Sequence, residues 1–347
     1  MNPLMKYTYS DIIPLHIQVW LATDTYLKSE DPKEISATGL LKPTKSIILS
    51  ERVQQQRTTA ITNGEFSLLD QLNKPDLQGF VKSRIGTSIH DSVENAWKTN
   101  YKQALSDLGY GEDFIHRINL NPQSFSEINP DDIVVYTEKR LKRKIGEHTI
   151  SGELDFVFNK VIQDLKSTST YAFKYTDDAK HTMQMSIYHW IFSGNGIDLD
   201  TQAQVNYLFT DWSPITAARD PNYPPANAVG VQVQLLPHSE VESFIANKIQ
   251  MVEEGRNLAE TDLIQCTPEE LWQSESSWAY YGNVDKLDGR ATKKFDNYQE
   301  AVKHKNEKGK GVIIERPGLI KFCNYCNGAS LCTQKDTYIA AGLLEMK

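Results

Sequence analysis

Apolar residues recur along this chain with a period that switches several times, and each switch predicts an element. In "FSLLDQLN" and on through "KSRIGTSIHDSVENAWKTNYKQALSDLG" they return every three or four positions. Ile85, Ile89, Val93 and Trp97 then share one stripe and Gly109 supplies a stop, which predicts a helix. From residue 133 the period falls to two, and "IVVYTEKRLKRKIGEHTISGELDFVFNKVIQDLKST" predicts three or four antiparallel strands. Helical spacing returns in "TDDAKHTMQMSIYHWIFSG" through Met183, Ile187 and Ile191, ending at Gly194. "QAQVNYLFTDW" and "AVGVQVQLL" predict two more strands, and "HSEVESFIANKIQMVEEGRNL" a helix opened by a capping-type pair, Ser239 and Glu242.

Upstream, residues 1 to about 35 read as a helical or irregular lead-in. "ISATGLLKPTKSIILSERV" has Thr38 and Pro43 as punctuation before an apolar run that opens a short strand or a helix. After about residue 261 the texture turns polar, aromatic and Gly-containing. The order of elements predicts an α/β fold with a mixed central sheet flanked by helices. Its expected divisions are an N-terminal extension (1–35), a core (36–260) and a C-terminal module (261–347).

The chain has 347 residues and enough apolar content for a real core without staples. It has no long apolar run, and "MNPLMKYTYSDIIPLHIQVW" lacks the basic start and small-residue cleavage site of a secretory signal, so a soluble, cytoplasmic protein without membrane association is expected. The net charge of −8 does not draw in a polyanion, so any nucleic-acid contact must come from a local basic stretch such as "EKRLKRKIGEH" or "KHKNEKGKG".

The strand region carries charge where apolar residues are expected. If Asn159 and Lys160 are the central residues of a hairpin turn, Phe158 pairs with Val161, Val157 with Ile162, Phe156 with Gln163 and Asp155 with Asp164. Opposed residues share a face with Cβ atoms only ~5 Å apart, and like charges there repel. Asp164 and Lys166 also share that face, so the hairpin gathers two carboxylates and an ammonium. Paired hard oxygen ligands suit Mg²⁺ or Mn²⁺, and such a set suits phosphodiester hydrolysis.

"GELDFVF" followed by "VIQDLKST" resembles the PD-(D/E)xK nuclease signature, in particular its RecB-like exonuclease branch. "GTSIH" (Gly86 to His90) is similar to that branch's helical GxxxH motif, and "QMSIY" (Gln184 to Tyr188) to its QxxxY motif. The resemblance implies a restriction-endonuclease-like core and a metal-dependent DNA exonuclease of phage type, working in DNA replication or recombination. It implies that His90, Asp155, Asp164 and the Leu165 carbonyl hold one or two Mg²⁺ or Mn²⁺, and that Lys166 positions the attacking water. Gln184 and Tyr188 would hold Lys166 or the DNA backbone. Glu138, with Glu147 and Glu153 as nearby alternatives, resembles a further acidic residue of the preceding strand, a metal ligand or base. DNA is the implied partner, with room for a phage recombination or single-strand-annealing protein and for an oligomer.

Three of the four cysteines crowd into "FCNYCNGASLC". In a reducing compartment that crowding points to metal before disulfides, with Cys266 as the remaining donor for Cys323, Cys326 and Cys332. Four thiolates suit either a [4Fe–4S] cluster or tetrahedral Zn²⁺. The two-and-five spacing resembles the AddB-like C-terminal triplet of iron–sulfur RecB-like nucleases, which implies the cluster. That family's fourth cysteine precedes the core, whereas here it follows it.

Overall fold

The computed structural model describes residues 7–8, 12–23, 29, 31–69, 72, 74–174 and 178–346. Contacts divide the described residues into two units, one of 7–41 with 74–249 and the other of 42–73 with 250 onward. Residues 42–73, expected within the core, thus group with the C-terminal segment.

The first unit is built on seven strands: β1 (Glu34–Ser36), β2 (Ile118–Leu120), β3 (Ile133–Ile145), β4 (His148–Phe158), β5 (Val161–Thr168), β6 (Gln202–Phe209) and β7 (Ala228–Gln234). They lie in the order β2-β3-β4-β5-β6-β7, with β1 pairing in parallel beside β4. β2 with β3 and β5 with β6 are also parallel, while β3–β4, β4–β5 and β6–β7 are antiparallel, so the sheet is mixed, as expected. The hairpin turns at Asn159 (φ 46°) and Lys160 (φ 72°), the pair of left-handed residues that a two-residue turn matching strand twist requires.

Helices cover both faces. Helix Val81–Asp107 lays Trp97, Tyr101 and Leu105 against Ile133, Val135, Phe156 and Phe158. Helix Asp178–Gly194 packs Met185, Ile187, Tyr188 and Ile191 against Tyr136, Ile150, Leu154, Val157 and Ile162. The first of these corrects an expectation: Ile85 and Val93 are exposed, and only the C-terminal part of the stripe, at Trp97, reaches the apolar cluster. The start of the hairpin-following stretch, Thr176 and Asp177, lies outside the described residues, as do Asp70, Gln71 and Asn73.

Strand alternation breaks at one point. Before Glu138, the even-numbered Val134 and Tyr136 of β3 join the cluster under helix Asp178–Gly194; after it, the odd-numbered Leu141 and Ile145 do. β4 makes the same exchange between Leu154 and Val157. The register does not slip, because Thr137 pairs with Phe156 and Lys139 with Leu154, which leaves Glu138 opposite Asp155. Glu138 has φ 44°, a left-handed conformation that costs a non-glycine residue about 1 kcal/mol or more and that rotates the strand beyond it. Both strands therefore swap faces at the Glu138–Asp155 position.

Helix His238–Arg256 contributes to both units. It begins before Ser239, whose carbonyl accepts from Ser243 inside the helix, so the expected Ser239–Glu242 cap is not formed. Pro237 supplies the acceptor for the first turn, and Glu242 instead accepts from Trp190 Nε1 (2.7 Å) and Arg143 (3.2 Å). In the second unit, helix Thr44–Asn63 packs Ile48 and Leu49 on Val252 and Leu263. The polar, aromatic and Gly-containing C-terminal segment contains a second sheet, β8 (Ser277–Tyr281), β9 (Lys293–Phe295) and β10 (Val312–Arg316) in the order β10-β8-β9, beneath helix Tyr298–Lys308. Its aromatic-rich strands alternate over too few residues for the period to show. Among the described residues no helix is long and apolar enough to cross a membrane.

Candidate functional site

The His90 helix approaches β5 closely because Gly86 has no side chain: a Cβ there would stand 3.2 Å from Ser167 Oγ. One turn further on, His90 Nε2 donates to the Leu165 carbonyl at 2.9 Å, which leaves Nδ1 facing the acids. Nδ1 lies 3.4 Å from Asp155 Oδ1 and 3.8 Å from Glu138 Oε1. His90, Glu138 and Asp155 each offer a donor atom, and the three atoms lie within 4.8 Å of one another. The face exchange at Glu138 and Asp155 is what aims both carboxylates at this helix.

Asp155 is held from the other side. Its Oδ2 accepts the Leu165 N–H at 2.8 Å, beyond the last backbone pairing of the hairpin, Phe156 with Gln163. The side chain thus takes over a rung where β4 and β5 part. Asp164 is buried, with Lys166 Nζ 2.6 Å from its Oδ2. That close ion pair is the charge partner of Oδ2, which is buried away from water.

Charge follows this geometry. Contacts to Asp155 and then Glu138 raise the His90 imidazole to about 10, outweighing its burial. Burial is the main reason the Glu138 carboxyl titrates above its usual value, with His90 working against it and Asp155 with it. Burial also raises Asp164, opposed by Lys166 and reinforced by Asp155. In the absence of a metal an imidazolium supplies the positive charge between the carboxylates.

The expected residues therefore fall into three groups. His90, Asp155 and Glu138 converge, with the Leu165 carbonyl hydrogen-bonded to the histidine. Asp164 and Lys166 pair with each other and stand outside that triad of donors. For Gln184 and Tyr188, expected to hold Lys166 or DNA, the structure shows Gln184 Nε2 donating to Tyr188 OH at 3.1 Å and the Tyr188 ring over Gly152, where a Cβ would meet it at 2.8 Å.

In the second unit Cys266, Cys323, Cys326 and Cys332 all line one cavity of about 20 Å³. Burial pushes the Cys266 thiol up to about 12 and Cys323 to about 11, and raises Cys332 as well. No three of the sulfurs lie within 4.8 Å of one another. Gln334 fixes the Cys266 backbone, accepting from its N–H at 3.0 Å and donating to its carbonyl at 2.9 Å. Two residues that the sequence reading passed over also line this cavity, Lys45 and Ser46, with Ser46 Oγ 3.2 Å from Cys326 Sγ. A lysine among apolar helix positions in "KPTKSIILS" was their one available signal.

No protein-family model matches the chain and no curated protein matches it. Among solved structures it is similar to the one titled "Crystal structure of SSO0001", at 14% identity over 68% of this chain and 83% of that chain, with a TM-score of 0.37. A likeness that weak carries no argument about fold or activity.

Proposed function

We propose that this protein is a divalent-metal-dependent deoxyribonuclease, an exonuclease of the RecB-like PD-(D/E)xK group with a restriction-endonuclease-like core. The observation that carries the reading is the convergence of His90, Glu138 and Asp155 within 4.8 Å beside a buried carboxylate and its lysine. The donor set fits a divalent ion: two carboxylates and one imidazole suit Mn²⁺ well and Mg²⁺ through its oxygens. The buried Asp164 Oδ2 already faces positive charge, the Lys166 ammonium at 2.6 Å, which makes it an oxygen suited to a cation.

A cation bound there supplies Lewis acidity toward a phosphodiester and toward water. The chain's own residues prepare the place. Leu165 N–H fixes the orientation of Asp155, the Gly86 contact fixes the helix that presents His90, and the Lys166 ammonium offsets negative charge on the phosphate. Tyr188, locked by Gln184 and by the bare backbone of Gly152, buttresses β4 from the opposite face.

The four thiols are read as ligands of a [4Fe–4S] cluster, with zinc the alternative. Their convergence on one cavity supports a shared metal centre. The choice of the cluster over zinc follows the resemblance of the two-and-five cysteine spacing to iron–sulfur RecB-like nucleases. DNA is the proposed substrate.

The test is degradation of linear and closed circular DNA, single- and double-stranded, by the full chain with Mg²⁺ or Mn²⁺. Loss of linear DNA only is the expected result. Cleavage of closed circles would replace the exonuclease with an endonuclease, and a folded, metal-loaded protein that cuts nothing would leave a DNA-binding or assembly role. Visible absorption of anaerobically purified protein, with iron, sulfide and zinc analysis, tests the thiol centre.

A further inference from the structure

Lys45 is buried to 1% exposure in helix Thr44–Asn63, a burial that lysine rarely accepts without a partner. Its Nζ lies 2.7 Å from Glu260 Oε1 and donates to the Glu260 carbonyl at 3.2 Å. Glu260 is itself held by Thr333, which donates to it from N–H (3.1 Å) and Oγ1 (2.7 Å) at the start of helix Thr333–Ala340, the residue after Cys332. Lys45 also lines the cavity shared by all four cysteines, with Ser46 against Cys326 and Lys335 as a second lysine of the lining.

A buried ion pair contributes little to stability compared with apolar side chains of the same volume, so stability alone gives a weak reason for this one. The cavity gives a stronger reason. Four thiolates around a cluster or a zinc ion leave net negative charge in a poorly hydrated site, and a cation in the wall lowers that cost. We propose that Lys45, paired with Glu260, is the charge-balancing residue of the four-cysteine centre and raises the reduction potential of a [4Fe–4S] cluster held there.

The inference rests on the iron–sulfur reading given above. Its logic is electrostatic: one-electron reduction adds a negative charge to the cluster, and a nearby ammonium favours that state. Lys45 acts as a charge-setting group for the thiolate centre.

The experiment is a dithionite titration of the anaerobically purified full chain, each added electron reducing one oxidised cluster, followed by visible absorption and electron paramagnetic resonance. Iron and sulfide are measured alongside, and circular dichroism reports the fold. K45M is expected to shift the oxidised-to-reduced equilibrium at least tenfold toward the oxidised cluster, which for one electron is 59 mV more negative. K45R, which keeps the charge, is expected near the wild type. E260Q, which leaves the ammonium unneutralised, is expected to shift in the opposite direction, and it keeps the proposal testable should K45M not fold. Equal potentials in wild type, K45M and E260Q would overturn the Lys45 assignment while leaving the cluster in place. A wild-type protein without iron would overturn the iron–sulfur reading and this inference with it.

Discussion

Asp155 and Leu165 are joined by a side-chain rung: Asp155 Oδ2 accepts the Leu165 N–H at 2.8 Å at the place where the two strands of the hairpin separate. The same carboxylate turns its other oxygen toward His90 at 3.4 Å. One residue thus fixes strand geometry and presents charge, and the two roles are separable. Asp155→Asn keeps an acceptor for Leu165 and removes the charge, whereas Asp155→Ala removes both. Both variants are expected to lose DNA hydrolysis by about 10²-fold or more, the scale of a lost electrostatic contact in an active site. Only the alanine variant is expected to lose stability, by about 1–3 kcal/mol for the stranded N–H, measured by urea unfolding. Full activity in either variant removes Asp155 from the site.

Asp164 holds a buried carboxylate whose ionised form is disfavoured by burial, only partly relieved by Lys166. A carboxyl with a raised native pKa makes the metal-free protein less stable at neutral pH, and that stability returns as the pH falls through the native value. Asp164→Asn is therefore expected to raise the denaturation midpoint of metal-free protein at pH 7 while abolishing nuclease activity. A variant that is both destabilised and active would refute this.

Two glycines set how closely helices approach the sheet, and they predict different failures. At Gly152 a methyl group would meet Tyr188 Cδ1 at 2.8 Å and Ile191 Cδ1 at 2.9 Å inside a packed core, so Gly152→Ala is expected to cost about 1–3 kcal/mol. At Gly86 the contact is with Ser167 Oγ at 3.2 Å, which a shift of a few tenths of an ångström by the helix relieves without disturbing a packed core. Gly86→Ala is expected to unfold near the wild-type midpoint yet lose activity, because the helix carrying His90 is pushed off β5. Thermal unfolding and turnover measured on the same preparations decide both.

Acid stability has an assignable source in the sheet. Burial alone would raise Glu34, but hydrogen bonds from Lys142 (2.6 Å), Ser29 and Ser151 outweigh it and hold the carboxyl below its usual value of 4.5. A carboxyl with a lowered native pKa contributes stability that is present above the unfolded pKa and lost as the pH falls through the native one. The protein is expected to lose stability below about pH 4.5, the usual glutamate value. Glu34→Gln is expected to flatten that part of the profile and to be less stable at pH 7. An unchanged acid limb in the variant would contradict the assignment.

The sequence alone determined those features that depend on neighbours in the chain. Alternation from residue 133 fixed three antiparallel strands, and Asn159 with Lys160 fixed the turn, because a two-residue loop needs positive φ at both positions. Helical spacing fixed the helices that carry His90 and Tyr188. The pairing of Asp164 with Lys166 followed from their sharing one face of a strand.

Only the tertiary structure decided which carboxylates meet the histidine. Alternation places Asp155 beside Asp164, but the left-handed Glu138 rotates two strands at once without slipping their register, and a break of that kind leaves no trace in hydrophobic period. The Ser239 cap failed because a neighbouring proline carbonyl accepted the first bonds of the helix, which frees Glu242 to meet Trp190 and Arg143. Lys45 stayed illegible for the same reason: its partner Glu260 is 215 residues away in the chain, and a buried lysine is recognised only by the charge beside it.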